Sequence, residues 1–178
     1  YKSLLINLTI RNIKNKYVGT FFGNIWVVIF PLIMLSIYAL VFGGIFKTRW
    51  SPQGDIKEFI IMLFCGLQIH TFISETISQS TTSILQNSHY IKKIVFPIEL
   101  IPLSIMGASI INLIVGLFLI IIFLLIDKSL PLTFILSPLV LIPLLLLTSG
   151  LSWIIASIGV FIRDLNQLVS VLMSILLF

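Results

Sequence analysis

Leu100-Ile101-Pro102-Leu103-Ser104-Ile105-Met106-Gly107-Ala108-Ser109-Ile110-Ile111-Asn112-Leu113-Ile114-Val115-Gly116-Leu117-Phe118-Leu119-Ile120-Ile121-Ile122-Phe123-Leu124-Leu125-Ile126 runs without a charge from Glu99 to Asp127. A helix rises about 1.5 Å per residue, so about 20 such residues cross the hydrocarbon of a bilayer. The flanking sequence repeats the pattern. Residues 18–46 carry no charge, 59–74 and 76–91 are interrupted only by Glu75, and 129–162 are uncharged. Residues 165–178 begin another apolar stretch too short to span. The reading is an all-α integral membrane protein with four full spans and the start of a fifth.

Composition agrees. The chain is 58% hydrophobic and only 10% charged over 178 residues, with a mean hydropathy of +1.18. A soluble domain of this size leaves roughly 30% of its unfolded surface exposed and could not hide so much apolar area. Disorder is excluded for the same reason. A membrane barrel would alternate apolar and polar residues, and these runs do not. The formal charge of +5 is the basic flank of a membrane protein rather than a nucleic-acid footprint. Cys65 is the one cysteine, so no internal disulfide or cysteine metal cluster forms. Residues 2–16 are too polar and basic for the apolar core of a signal peptide. The chain opens on Tyr1 and stops at Phe178 inside an apolar segment, which reads as a protein lacking its C-terminal part.

The basic residues occupy the joints between spans. Lys2, Arg11, Lys14 and Lys16 precede the first, Lys47, Arg49 and Lys57 follow it, and Lys92–Lys93, Lys128 and Arg163 mark the later ones. A cytoplasmic N-terminus puts seven of them inside and four outside, as the positive-inside rule asks. Residues 1–19 form a separate piece, and 20–178 form the transmembrane domain. Ile6, Ile10, Ile13 and Tyr17 share a narrow arc of one helix. That predicts an amphipathic helix lying in the interface, its arc in lipid or against protein and its cations near anionic headgroups.

Four groups of residues attract interest. The segment 86–99 sets Asn87, His89, Lys92 and Lys93 among Tyr90, Ile94, Val95 and Phe96, and Pro97 ends or kinks any helix there. It reads as a short cytoplasmic amphipathic element with apolar residues free to dock. Glu75 lies on a stripe with Thr71, Ser74, Ser78, Thr81 and Thr82. A carboxylate near the bilayer centre costs at least about 2.5 kcal/mol, so it faces protein or water. The stripe is then either a wall of a hydrophilic path or hydrogen-bonding glue between helices. Trp26 and Phe30 with Phe22, and Tyr38 and Phe42 with Phe46, form two aromatic rows on nearly opposite faces of the first span. Such rows can stack on sugar rings, or contact lipid. Ser149, Ser152, Ala156 and Gly159 make a small-residue face for packing or dimer contact. His70 reads as a packed, hydrogen-bonded residue. No catalytic or metal-binding constellation is visible, and no Walker-type glycine loop is present.

Several short motifs carry a resemblance. Lys16-Tyr17, Phe22-Gly23, Trp26, Pro31-Leu32, Tyr38 and Val41-Phe42 come first, then Phe64-Cys65-Gly66-Leu67. Asn87, Lys93 and Phe96-Pro97-Ile98-Glu99-Leu100-Ile101-Pro102 follow, and Phe161-Ile162-Arg163-Asp164-Leu165 comes last. In this order the chain resembles the membrane subunit of ABC-type polysaccharide exporters. It departs from the family pattern at Phe22, where leucine is usual, and by an inserted Ile162. The resemblance implies a six-span permease whose last part is missing here. It implies a homodimer in the bacterial inner membrane, working with two cytosolic ATPase subunits on a lipid-linked glycan such as an O-antigen or teichoic-acid precursor. ATP and magnesium would bind the partner; this chain would bind no cofactor, metal or nucleic acid and would touch only membrane lipid besides. Residues 86–99 would be the coupling helix, with Asn87, His89, Tyr90, Lys92, Lys93, Ile94, Val95 and Phe96 at the ATPase. Trp26, Phe30, Tyr38, Phe42, Ser74, Glu75, Ser78 and Thr82 are the path candidates, and Arg163 and Asp164 would form a cytoplasmic gate. A membrane enzyme acting on a lipid-linked sugar would need clustered His, Asp or Glu at one face. A scaffold would need neither the polar stripe nor a docking helix.

Overall fold

The computed structural model describes residues 1–45, 55–89, 96–127, 134, 136–162 and 164–177, with the side chains of all but 17, 24, 44 and 45. It is helical, and no strand occurs among the described residues. The helices are α1 (Lys2–Tyr17), α2 (Trp26–Tyr38), α3 (Ile56–Gln86), α4 (Leu100–Ile126), α5 (Ser137–Gly159) and α6 (Leu165–Leu176). Gly19 and Gly23, with φ of +82° and +52°, break the chain after α1. Only glycine takes that left-handed conformation without steric cost. A short 3₁₀ turn, Gly23–Ile25, then opens α2, and a π-helical turn, Ala39–Ile45, extends it. Pro31 lies inside α2 and is buried there.

Among the described residues, four segments are long and apolar enough to cross a membrane: Trp26–Gly43, Ile56–Gln86, Leu100–Ile126 and Ser137–Gly159. They correspond to the four spans expected. The second of them, α3, carries Glu75 within it and runs unbroken for 31 residues, as the count of four spans has it. At about 1.5 Å per residue that is about 46 Å, more than the hydrocarbon thickness. At least one end of α3 therefore stands in the polar zone, so Glu75 need not lie near the bilayer centre.

The chain divides into two compact units. One contains Tyr17–Thr71 and Ile111–Pro131, so it holds α2, the first half of α3 and the second half of α4. Its interior is apolar: Ile60, Phe64, Leu113, Ile120 and Leu124 are buried, Phe64 to 1% exposure. α3 and α4 run antiparallel here. Lys57 reaches Asp127 at 2.7 Å, and Gln68 occupies the space beside Gly116. Phe42 packs on Phe59 with ring centroids 5.8 Å apart, and Tyr38 lies 6.5 Å from Phe42.

The other unit contains Tyr1–Lys16, Phe72–Ile110 and Leu132–Phe178. Its interior mixes apolar side chains such as Phe72, Ile77, Ile101 and Val169 with many small polar ones. Thr76, Ser80, Thr81, Ser83, Ser104, Ser109, Thr148, Ser149 and Ser152 are all buried. Most satisfy their hydroxyls on the preceding turn of their own helix: Thr76 donates to the Phe72 carbonyl, Ser80 to Thr76, Ser83 to Ser80, Ser104 to Ile101, Thr148 to Leu144 and Ser152 to Ser149. Lipid tails are as apolar as leucine, so helices in a bilayer gain by close approach rather than by hiding grease. Small residues permit that approach. Ser149, Ser152, Ala156 and Gly159 are buried as one face of α5. Gly159 lies directly against the carbonyl of Thr81 on α3. The small face is thus used within the chain, which decides between the two readings the sequence left open.

Candidate functional site: the joint between α3 and α4

The segment that follows α3 is gripped at both ends. α3 stops at Gln86, and Asn87 closes it: its backbone N–H and its side-chain Nδ2 both donate to the Ser83 carbonyl, at 3.2 and 2.8 Å. The Ser83 carbonyl thus takes two donors from one residue, the backbone bond of the last turn and the side-chain amide. The Asn87 Oδ1 accepts from the Arg11 guanidinium at 2.6 Å. A cation at this place also complements the negative end of the α3 dipole. One helical stretch earlier, Lys16 Nζ donates to Glu75 Oε1 at 2.6 Å, with the Lys16 and Glu75 side chains 34% and 15% exposed. Gln79 Nε2 donates to the same carboxylate at 3.1 Å.

On the far side of the segment, Phe96 and Pro97 are non-helical, and Ile98–Glu99 form a turn. Leu100 and Ile101 donate back to the Pro97 and Ile98 carbonyls, so the proline ends one element and starts the next. Pro102 falls in the first turn of α4, where its missing N–H has no helical partner to lose. Asn12 of α1 donates to Ser104 of α4 at 3.0 Å. One turn on, Gly107 leaves room for Thr9, whose Oγ1 lies 2.9 Å from where a Cβ would stand. Trp153 of α5 donates its indole N–H to the Glu99 carbonyl at 3.1 Å. α1 therefore runs antiparallel to the start of α4 and also binds the end of α3.

This docking adds protein contacts to those expected of α1. Leu8, buried at 8%, and Thr9 and Asn12 face the protein, while Ile6 and Ile10 of the predicted arc are 57% and 44% exposed. Arg11 and Lys16 do not point only to headgroups; they bind Asn87 and Glu75. The helical period showed an apolar arc, but Leu8 lies outside it.

The other candidates fall as follows. Glu75 and Asn87 are brought to α1, and His89 is exposed. Phe96 is half-buried. Tyr90, Lys92, Lys93, Ile94, Val95 and Arg163 lie outside the described residues. Asp164 is exposed and precedes α6, its backbone carbonyl accepting from Gln167 and Leu168. Ser74, Ser78 and Thr82 are half-buried, and Thr82 accepts from Gln86 at 3.0 Å. Thr71 is exposed whereas Thr81 is buried, with its Oγ1 3.3 Å from Asn166 Oδ1. The sequence stripe thus splits between surface and interior. The fully buried polar row of α3 is instead Thr76, Ser80 and Ser83. Tyr38 and Phe42 pack within the chain on Phe59. Phe30 is 50% exposed, and Trp26 meets Phe22 edge-on at 5.8 Å.

Sequence reasoning missed Arg11, Asn12, Lys16 and Ser104. One signal was present. Glu75 needs a partner of opposite charge, and α1 carries Lys2, Arg11, Lys14 and Lys16. No three His, Cys, Asp or Glu side chains come together among the described residues. The arrangement is a set of hydrogen bonds and an ion pair that links α1 to α3 and α4.

Comparison with known proteins agrees with this architecture. Residues 3–178 match the ABC-2 type transporter membrane family. The chain is 27% identical over 179 residues to an O-antigen export system permease protein, RfbA, of Myxococcus xanthus, covering 100% of this chain and 66% of that relative. It is 28% identical over 169 residues to an O-antigen export system permease protein RfbA of Klebsiella pneumoniae, covering 94% and 63%. The chain therefore spans somewhat less than two thirds of the length of these relatives. With the match running through every described helix, this multi-pass membrane chain belongs to the ABC-2 type transporter family.

Proposed function

We propose that the chain is the permease half of an ATP-driven exporter that moves a lipid-linked polysaccharide across the bacterial inner membrane. The observation that carries this is the likeness to an O-antigen export permease over the whole length of the chain. The protein works as a homodimer with two cytosolic ATPase subunits, which hold ATP and magnesium; its own role is not enzymatic. Its N-terminus is cytoplasmic, which places α1 and the segment 86–99 on the side of the ATPase. Residues 1–19 lie in the interface, with Ile6 and Ile10 toward lipid.

In the cycle, closure of the two nucleotide domains presses on 86–99. Asn87, His89, Tyr90, Lys92, Lys93, Ile94, Val95 and Phe96 form the contact, and α3 and α4 carry the movement into the membrane. Trp26, Phe30, Ser74, Glu75, Ser78 and Thr82 are candidates for the glycan path, and Arg163 and Asp164 for its cytoplasmic mouth. Tyr38 and Phe42 are weaker candidates, because their rings are occupied against Phe59.

Deletion of the gene tests the proposal. Polymer should accumulate on the cytoplasmic side of the inner membrane and vanish from the surface, and the intact gene should restore it. Loss of polymer synthesis altogether would favour an enzyme acting on the lipid-linked sugar and overturn the export reading.

A further inference from the structure

The hydroxyl groups inside the apolar helices divide into two sets. The exposed ones fold back on their own helix: Ser36 donates to the Leu32 carbonyl, Thr71 to Leu67, Ser157 to Ile154, Ser170 to Asn166 and Ser174 to Ser170. Lipid tails offer nothing to bond, so a hydroxyl turned toward them has only its own backbone. Most buried hydroxyls do the same, with Ser109 the exception. Ser74, Ser78 and Thr82 behave differently. They stand at steps of four on α3 and are half-buried. Among the described residues they donate to no group, and Thr82 only accepts, from Gln86.

The same face of α3 carries two exposed glutamines. Gln79 Nε2 donates to Glu75 Oε1 at 3.1 Å, and Gln86 Nε2 donates to Thr82 Oγ1 at 3.0 Å. Each amide is thus held by a residue one turn earlier. Its Oε1 accepts nothing among the described residues. Glu75 is the only charge between Phe59 and Ile91, and Lys16 neutralises it at 2.6 Å. From Ser74 to Gln86 the face extends about 18 Å along the axis. Over that length it offers hydroxyl donors and carboxamide acceptors without net charge.

Resting on the permease reading, we propose that this face is a recognition track for the sugar hydroxyls of the exported polymer, with Gln79 and Gln86 part of it. A sugar hydroxyl both donates and accepts. It donates to a glutamine Oε1 and accepts from Ser74, Ser78 or Thr82. An uncharged row makes bonds that are individually weak and easily exchanged, which suits a chain that must slide. The ion pair leaves no net charge on the row to hold a phosphate, so the track reads the glycan and not its lipid end. Glu75 is a positioning residue here: it orients the Gln79 amide.

The test uses the full-length permease purified with its ATPase in nanodiscs. The probe is the host's own polysaccharide, released from its lipid by mild acid. Gln79→Met with Gln86→Met keeps side-chain length and removes both amides. It should weaken retention of the lipid-free polymer about tenfold, as two lost hydrogen bonds would. Surface polymer in the host should fall with it, at wild-type amounts of complex. Ser78→Ala with Thr82→Val should act in the same direction. Ser36→Ala and Ser157→Ala, whose hydroxyls are committed to their own helices, should bind as wild type does. Retention within about twofold of wild type in both double variants overturns the track. So does a wild-type complex that holds lipid-linked polymer but not the released glycan. Loss of the dimer in the Gln79→Met, Gln86→Met variant also overturns it, because the face would then be a contact between copies. A deletion strain that keeps its surface polymer overturns the permease reading itself. Loss of surface polymer on deletion, with both double variants binding and exporting normally, overturns the track alone.

Discussion

Gly159 offers the sharpest test of how the membrane-embedded helices are held together. A Cβ added there would land on the backbone carbonyl of Thr81. No rotamer can relieve a clash with backbone, so α3 and α5 must move apart. Overpacking of a buried site costs about 1–3 kcal/mol, and a rigid obstacle belongs at the upper end. The separation also loosens Ser152 and Ala156 of α5 and Thr76 and Ser80 of α3, all within 1% of complete burial. A loss of about 3 kcal/mol lowers the melting temperature of a chain this size by about 6–12 °C. Gly150 is the control on the same helix: nothing lies within 4 Å of its added Cβ. Ala there should be neutral or gain up to about 1 kcal/mol from helix propensity. Gly116→Ala should fall between them, because the atoms it meets are the end of a flexible Gln68 side chain. The assay is thermal unfolding of the purified protein in detergent, followed by size-exclusion chromatography. Equal melting temperatures for Gly159→Ala and Gly150→Ala would refute the close-approach argument.

Three further outcomes are expected. Phe64→Ala empties a site only 1% exposed and should cost about 1–3 kcal/mol, below the 3–5 of a soluble core because lipid offers an equally apolar alternative; unchanged unfolding would show that Phe64 is not enclosed. Lys57→Ala removes an ion pair whose members are 55% and 31% exposed, so the melting temperature should barely move, because water already screens the pair; a large drop would count against that exposure. Ile94→Asp or Val95→Asp should abolish ATP-driven export while the protein still inserts in the membrane; export at the wild-type level would contradict the coupling role of 86–99.

What was legible came from local properties. The four spans could be counted because the length of an uncharged run is a feature of contiguous residues, and the run from Leu100 to Ile126 needed no tertiary information. Pro97 marked the break before α4 because a proline acts on its own backbone. The small face of α5 was visible at helical spacing, although whether its partner was this chain or another was not. The candidate stripe on α3 was drawn less well. Thr71 and Thr81 share a helical spacing, yet one is exposed and the other buried. Spacing ranks residues around an axis but does not say where a neighbouring helix will lie.

The sequence by itself determined the solvent: apolar composition and run length commit these helices to a bilayer, and the Asn87 to Pro102 motifs pointed to the family. Tertiary structure alone decided which face of each helix is inside, because protein interior and lipid are equally apolar and hydropathy cannot tell them apart. It alone joined Lys16 to Glu75 and Arg11 to Asn87. Those partners are far apart in the chain, and their meeting depends on how α1 folds back along α3 and α4.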